Sequence, residues 1–332
     1  MPISNTYQPS APTAKAGQGS AVSNREDLSN ELAILAPEET PILSLCSKGK
    51  ASATYSEWTV DSLAAPATTG ISEGSDVTSF SDKFANRARL GNYIQLMRRD
   101  YIVSNLQQAV TSVGPANVAQ AEAKSMREIK RDIEATIASD NEMTVENGAG
   151  TPYGMRGLGK WIQSTAQATN PVPSDYRTPS GSLFTTGTLS ESSFNSIVGS
   201  IFAKNGEMNS LTLVANVALR QLISNFTRAT PASAGVTYHV NQDATSKQIT
   251  LSVNLYDSDF GLVKIVNGNP SCMPTGSTNV GYVLNPKYLG FNTLIPMGAT
   301  RLENQGGGER GFIDVAGTLC VKHPQAHGKI AY

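Results

Sequence analysis

The chain has 332 residues and 35.1 kDa, room for about two domains. Hydrophobic residues make up 39% of it, enough to bury a core and to exclude wholesale disorder. With 26 Lys+Arg against 27 Asp+Glu, the net charge of -1 excludes the basic footprint of a strong, salt-sensitive nucleic-acid binder. Charged residues are only 16%, and Ser, Thr, Ala, Asn and Gly stand in their place, as on a chain whose surface is covered by other chains.

Residues 1 to about 21 are rich in Pro, Ala, Ser, Gln and Gly and predict an arm without a core of its own. Ser23 and Glu26 form a capping box, and Leu28, Leu32 and Leu35 predict a short helix that Pro37 ends. EETPILSL, led by Pro41, predicts an extended segment docked on a body. Thr54–Val60 and RARLGNYIQLMRRDYIVS from Arg87 onward are β-favouring and predict two strands. Between them, SLAAPATTGISEGSDVTSFSDKF is too long for an idle connection and offers few large apolar residues for its own domain. A hairpin arm laid on a neighbouring molecule meets both conditions.

Gly114-Pro115 fits a helix start and Asn147-Gly148 a helix stop, which predicts one helix over 115–146, about 48 Å long. Its apolar stripe runs through Ala119, Ala123, Met126, Ile129, Ile133 and Ile137. After a linker ending near Thr186, helix and strand patterns alternate. Phe194, Ile197, Val198 and Ile201 mark the inward face of a helix, SLTLVAN a buried strand, VALRQLISNF a helix, and KQITLSVNLYDSDFGLVKIVNG two strands around an Asp/Ser turn. The tail from Gly281 to Tyr332 reads as β-rich, and the chain has no internal repeat.

Chemistry-bearing motifs are weak. Gly154-Met-Arg-Gly-Leu-Gly159-Lys160 matches the GxxxxGK spacing of a phosphate-binding loop, which makes a nucleotide-binding enzyme using Lys160 the alternative reading. Trp161 stands where a metal-binding Ser/Thr belongs, however, and the string follows a helix instead of a strand. Asp259-Phe260-Gly261 lacks the other kinase motifs. Cys320, His323 and His327 fall one ligand short of a structural zinc site, with His239 remote in sequence. Neither a GxSxG elbow nor a recognisable nucleophilic Cys signature is present, and Glu38-Glu39 and Asp257/Asp259 lie in turn-like sequence. No catalytic, cofactor-binding or metal-binding residue is assigned, and no enzymatic activity is expected.

Cys46, Cys272 and Cys320 are odd in number and far apart, which points to a reducing compartment. The N-terminus lacks the basic and apolar regions of a secretory signal, and no run approaches the ~18 apolar residues of a membrane span. Synthesis in the cytoplasm is expected, which leaves the sequon at Asn225 without meaning. Basic residues cluster at Arg87, Arg89, Arg98 and Arg99, for which ion pairing between subunits is expected. They cluster again at Arg127, Lys130 and Arg131, where the interleaved Glu128, Asp132 and Glu134 predict local compensation.

The strings NREDLSNELAILAPEETPILSL, YSEWTVDSL, the run from Asn86 to Val110 containing VSNLQQAV, EIKRDIEATI and GMRGLGKWI cover much of 24–162. In these strings and in the order of its parts, the chain resembles the major capsid proteins of tailed double-stranded DNA phages, the Hong Kong 97 type. The resemblance implies an α+β capsid fold: an N-terminal arm over 1–40, an extended loop and its base over 41–88, a peripheral domain over 89–185 with the spine helix 115–146, an axial domain over 186–275, and a β-rich return to the peripheral domain over 276–332. It implies self-assembly into pentamers and hexamers of an icosahedral head in the host bacterial cytoplasm, the loop lying over an adjacent subunit. Implied partners are a portal protein, optionally a decoration protein, and packaged double-stranded DNA in non-specific contact, with no membrane. Many members carry a scaffolding extension removed on maturation. The short arm here implies a separate scaffolding protein instead, and no Lys–Asn crosslink motif can be matched to Lys83 or any Asn. A shell protein of a cellular nanocompartment with the same fold stands as a further alternative. Trp58, Glu73, Arg87 and Arg89 are the expected inter-subunit contacts, and Met126, Ile129, Ile133 and Ile137 the expected spine core.

Overall fold

The structure is a computed structural model that describes residues 39–110, 117–205, 211–224, 226 and 254–332. The expected arm and the helix from Ser23 lie outside the described residues, apart from the last residues before Pro41. In chain order the first elements are α1 (Pro41–Leu45), β1 (Ser47–Lys50), β2 (Tyr55–Val60), β3 (Ala88–Tyr93), β4 (Gln95–Val103), α2 (Asn105–Ala109), α3 (Val118–Ala138) and α4 (Leu158–Trp161). They are followed by β5 (Leu183–Phe184), α5 (Glu191–Asn205), β6 (Leu211–Ala215), α6 (Val217–Ser224), β7 (Leu255–Ser258), β8 (Gly261–Asn267), β9 (Val280–Leu284), β10 (Leu289–Leu302), β11 (Glu309–Val321) and β12 (Gly328–Ala331).

The described residues form three sheets. One has the order β1-β10-β11-β4, the second β5-β12-β9-β6-β8-β7, and the third is the β2-β3 hairpin alone. The spine helix α3 lies on the first sheet. Its Ile129, Ile133 and Ile137 are buried with Tyr101, Ile313, Val315 and Leu319, while Met126 is half-buried at the margin. Replacing Ile133 by Ala is expected to cost about 3 kcal/mol in a urea melt, because it leaves a cavity in a closed layer. The same truncation at Met126 should cost clearly less, and equal costs would contradict this placement.

A second core lies across the six-stranded sheet, where Phe194, Ile197, Val198 and Ile201 of α5 pack with Leu213, Val263, Val283 and Ile330. These four α5 residues are the ones the helical spacing selects. Strands β6 and β9 are buried on both faces, and their alternation divides them. Val214, Tyr282 and Leu284 join the first core, whereas Leu213 and Val283 join the second. The sheet is thus a shared wall.

Four sequence expectations change at this level. EETPILSL is helical over Pro41–Leu45, not extended. Pro41 starts the helix, and the Glu134 carboxylate accepts the N–H groups of Ile42 and Leu43 at 2.8 Å each. The spine helix has 21 residues, about 31 Å, and ends at Ala138 instead of 146. Ser139 turns extended, and the freed carbonyls are taken locally: Tyr282 Oη donates to Ala138 O, Gly159 N–H to Ser139 O and Gly157 N–H to Asn141 O. At its other end Asn117 caps the helix by accepting from Gln120 N–H, and Gly114-Pro115 lies outside the described residues.

The run from Arg87 is two strands. Ile94, buried, donates its N–H to Thr54 O and separates β3, which pairs with β2, from β4, which enters the first sheet. Finally, the stretch 276–332 does not stay in one sheet. Strands β10 and β11 run through the first sheet, but β9 and β12 belong to the six-stranded one, where alternate side chains of β9 supply both cores and Ile330 of β12 supplies the second.

Candidate functional site

Beyond the β2–β3 register, Tyr55↔Tyr93 through Val60↔Ala88, every residue from 61 to 87 is exposed. The loop is less poor in apolar groups than its composition suggests. Leu63 is 98% and Phe80 90% exposed, and Ile71, Val77 and Phe84 also face water. Side chains of this size gain nothing in that position, and large exposed apolar patches are a general feature of interaction surfaces. Glu73 sits at the tip, in a turn closed by the Ser75 N–H and hydroxyl on Ser72 O, with Gly74 at φ 78°.

The hairpin supplies partners for its own cations. Arg87 pairs with Asp61 at 2.8 Å and lies over the Phe84 ring, and Arg89 pairs with Glu57, its diagonal neighbour across the register. The Arg87 guanidinium holds the Asp61 carboxyl below the usual carboxylate range. Arg98 stands opposite Asp314, 3.6 Å away, and over Phe312, while Arg99 makes a two-pronged contact with Asp132 of α3 at 2.6 and 2.7 Å. All four arginines of the first cluster therefore have carboxylates within the chain. Trp58 is half-buried and packs at a tilt against Trp161 with ring centroids 5.6 Å apart, so it faces its own body.

The carboxylates interleaved with the second basic cluster turn to partners outside it. Asp132 is taken by Arg99 and Glu134 points inward to α1, which leaves Glu128, paired with Lys124 at 3.9 Å. Burial pushes the Glu134 carboxyl up, against the pull of its two N–H donors.

The first sheet has one covered and one open face. Met97, Tyr101, Val103, Ile313 and Val315 face α3. Their alternates Leu96 and Ile102 on β4, with Ile295 and Leu302 on β10, are exposed, and half-buried Phe312 lies among them on β11. An ion pair, Arg98–Asp314, crosses the middle of this mixed surface.

The motif-like strings resolve into structure. In the GxxxxGK string the N–H groups that would cradle a phosphate are already donated to the chain itself: Gly154 to Thr144 O, Met155 to Gln95 Oε1, Arg156 to Asn92 Oδ1, Gly157 to Asn141 O and Gly159 to Ser139 O. Beside Gly159 a Cβ would collide with Asp140, and Trp161 is buried below. This geometry removes the nucleotide reading of Lys160. Asp259-Phe260-Gly261 is the β7–β8 turn, with Phe260 packed at a tilt against Phe202. Cys320 is buried in β11 and His323 packs edge-on against Tyr288, whereas His327 Nδ1 accepts the Asn285 N–H. His239 lies outside the described residues, and among these no group of three or more metal-binding side chains forms.

Sequence reasoning missed Glu134, Arg156, Asn92 and Asn170. Only Glu134 left a signal, a carboxylate directly following Ile133 in the apolar stripe.

A family model described as SU10 major capsid protein matches residues 11–332. A search of curated proteins finds no match. Among solved structures, the chain is similar to the capsid of the cyanophage P-SCSP1u, with 11% identity, a TM-score of 0.63, and 95% of this chain and 94% of that chain covered. It is also similar to the capsid of a native GTA particle, at 12% identity and TM-score 0.60 over 97% and 98% of the two chains. A third likeness is to the SrpI encapsulin of Synechococcus elongatus, at 11% identity and TM-score 0.52 over 93% and 92%. These likenesses establish the fold as the Hong Kong 97 type, α+β.

Proposed function

We propose, on the premise that this chain belongs to the SU10 major capsid protein family, that it is the subunit from which the pentamers and hexamers of an icosahedral phage head are built around double-stranded DNA. The family makes it a structural shell protein of the virion. The finer reading is ours: assembly in the host bacterial cytoplasm on a separate scaffolding protein, with a portal at one vertex, optionally a decoration protein outside, and non-specific contact with DNA inside. A net charge of -1 suits a wall that holds DNA without adhering to it.

The observation that carries this reading is the wholly exposed stretch 61–87 with its outward apolar side chains. Its complement is the open face of the first sheet, apolar at both ends with charge between, on which the loop of a second copy would lie. We assign 41–88 to that loop and its base, 89–185 to the peripheral domain, 186–275 to the axial domain and 276–332 to the return, with β9 supplying both cores and β12 the second. Exposed ion pairs such as Arg87–Asp61 and Arg89–Glu57 contribute little within one chain and are cheaply exchanged for a neighbour's carboxylates. In this reading Arg87, Arg89 and Glu73 touch the neighbour, and Trp58 serves the contact by anchoring the loop base.

Negative-stain electron microscopy and sizing of the chain, alone and co-expressed with its scaffolding partner, test the proposal. Closed shells, or stable pentamers and hexamers, are expected. A strict monomer under every condition overturns it, and shells filled with protein cargo instead of nuclease-protected DNA point to a cellular compartment.

A further inference from the structure

Among the described residues the hairpin strands β2 and β3 pair only with each other, and a two-stranded ribbon has little stiffness of its own. Its direction relative to the body has to come from side chains at the base. Several bonds reach one strand each: Asn292 Nδ2 donates to Ser56 Oγ on β2, Asn92 Nδ2 donates to Leu319 O from β3, and Tyr176 Oη donates to Asn86 O just before β3.

Arg156, outside the hairpin, is linked to both strands: directly to β3, and to β2 through Trp161 and Asn170. On β3, the wholly buried Asn92 accepts the Arg156 N–H through Oδ1 at 2.8 Å and donates through Nδ2 to Arg156 O at 3.2 Å. The side-chain amide thereby copies the two-way bonding of a neighbouring strand. On β2, Trp58 packs at a tilt against Trp161, and the Arg156 guanidinium lies over that same Trp161 ring, 4.9 Å from its centroid. A second route runs from the Tyr55 hydroxyl, which accepts from Asn170 Nδ2, to the Asn170 carbonyl, which accepts from both Arg156 Nη atoms. Asn170 holds φ 41°, the one positive φ of a non-glycine among the described residues.

The guanidinium itself is wholly buried, and each of its three nitrogens donates. Nε donates to Glu142 at 2.6 Å, and Nη2 donates to Thr169 O as well. Only a planar fork with five donors serves a carboxylate, two carbonyls and a ring face together. A lysine ammonium supplies three donors from a point and has no plane to stack.

We propose that Arg156 is a positioning residue that sets the direction in which the hairpin leaves the body, and with it the place where the loop meets a neighbouring copy. This inference rests on the shell-subunit reading for its consequence but not for its test. The unassembled full chain is labelled at Glu73→Cys and Lys48→Cys, both exposed, while the three native cysteines are buried, and the distance distribution is measured by pulsed electron spin resonance. Arg156→Lys is expected to shift that distribution and broaden it about twofold, as the fork is lost, with far-UV circular dichroism unchanged. Should that variant not fold, Glu142→Gln, which loosens the guanidinium without removing it, is expected to broaden the distribution in the same direction.

A folded Arg156→Lys or Glu142→Gln protein with the wild-type distribution overturns the inference. A chain that still forms shells with residues 62–80 deleted overturns the loop reading instead, whatever the distances show, so the two failures are distinguishable.

Discussion

Lowering the pH from about 7 to about 4 is expected to destabilise the folded chain by several kcal/mol, and His327 is the group responsible. Its imidazole has no exposed surface. Because Nδ1 accepts the Asn285 N–H at 3.2 Å, the proton of the neutral ring sits on Nε2, which is buried with no partner among the described residues. Burial, and after it the charge of a protonated His323 nearby, pushes the pKa down from 6.5 to about 3. A folded-state pKa below the unfolded value gives stability that is complete above 6.5 and lost as the pH falls toward 3. The whole gap is worth about 5 kcal/mol.

Glu134 acts in the opposite sense. Its pKa is raised above 4.5, so its contribution is complete below 4.5 and lost as the pH rises through the raised value, which blunts the acid slope. The His327→Gln variant isolates the histidine. Urea midpoints measured across this range are expected to fall steeply with acid in the wild type and much less in the variant. Parallel slopes would exclude His327 as the source.

What the sequence reveals and what it hides divide along a physical line. The α5 helix is legible because Phe194, Ile197, Val198 and Ile201 repeat at the helical period and the buried face follows from the repeat. The hairpin is legible because two β-favouring runs bracket a stretch unable to bury itself. Elements decided by distant partners are not legible. PILSL has the composition of an extended segment, and its helix depends on Glu134, 91 or 92 positions away. The end of α3 is set by Tyr282, Gly157 and Gly159, and SDNEMTVEN alone does not display it.

The same holds at the candidate site. Arg87, Arg89, Arg98 and Arg99 stand out as a cluster, but their carboxylates are chosen by strand register and by the placement of α3. Arg156 lies inside a string whose spacing imitates a phosphate loop. Its actual work is visible only once Asn92, Trp161, Glu142 and Asn170 are brought around it.

Deleting residues 62–80 is expected to abolish shell formation outright while leaving the subunit folded. Every residue removed is exposed, and the ties at the base, Trp58–Trp161, Asn92–Arg156 and Arg99–Asp132, all lie outside the deletion. The melting transition should therefore stay within about 0.5 kcal/mol of the parent, as for other changes at positions without buried contacts. Assembly responds on another scale. Burying a phenylalanine such as Phe80 against a neighbour contributes about 2 kcal/mol, and the hairpin offers five large apolar side chains of this kind. In a closed shell each subunit both gives and receives such a contact, so a loss that is modest for one pair is multiplied through linked contacts until closure fails. A milder variant, Phe80→Ser with Phe84→Ser, should raise the concentration at which shells appear before it prevents them. Normal shells from the deletion variant would mean that 61–87 is not the surface by which subunits hold one another, and the open face of the first sheet would then need a different occupant.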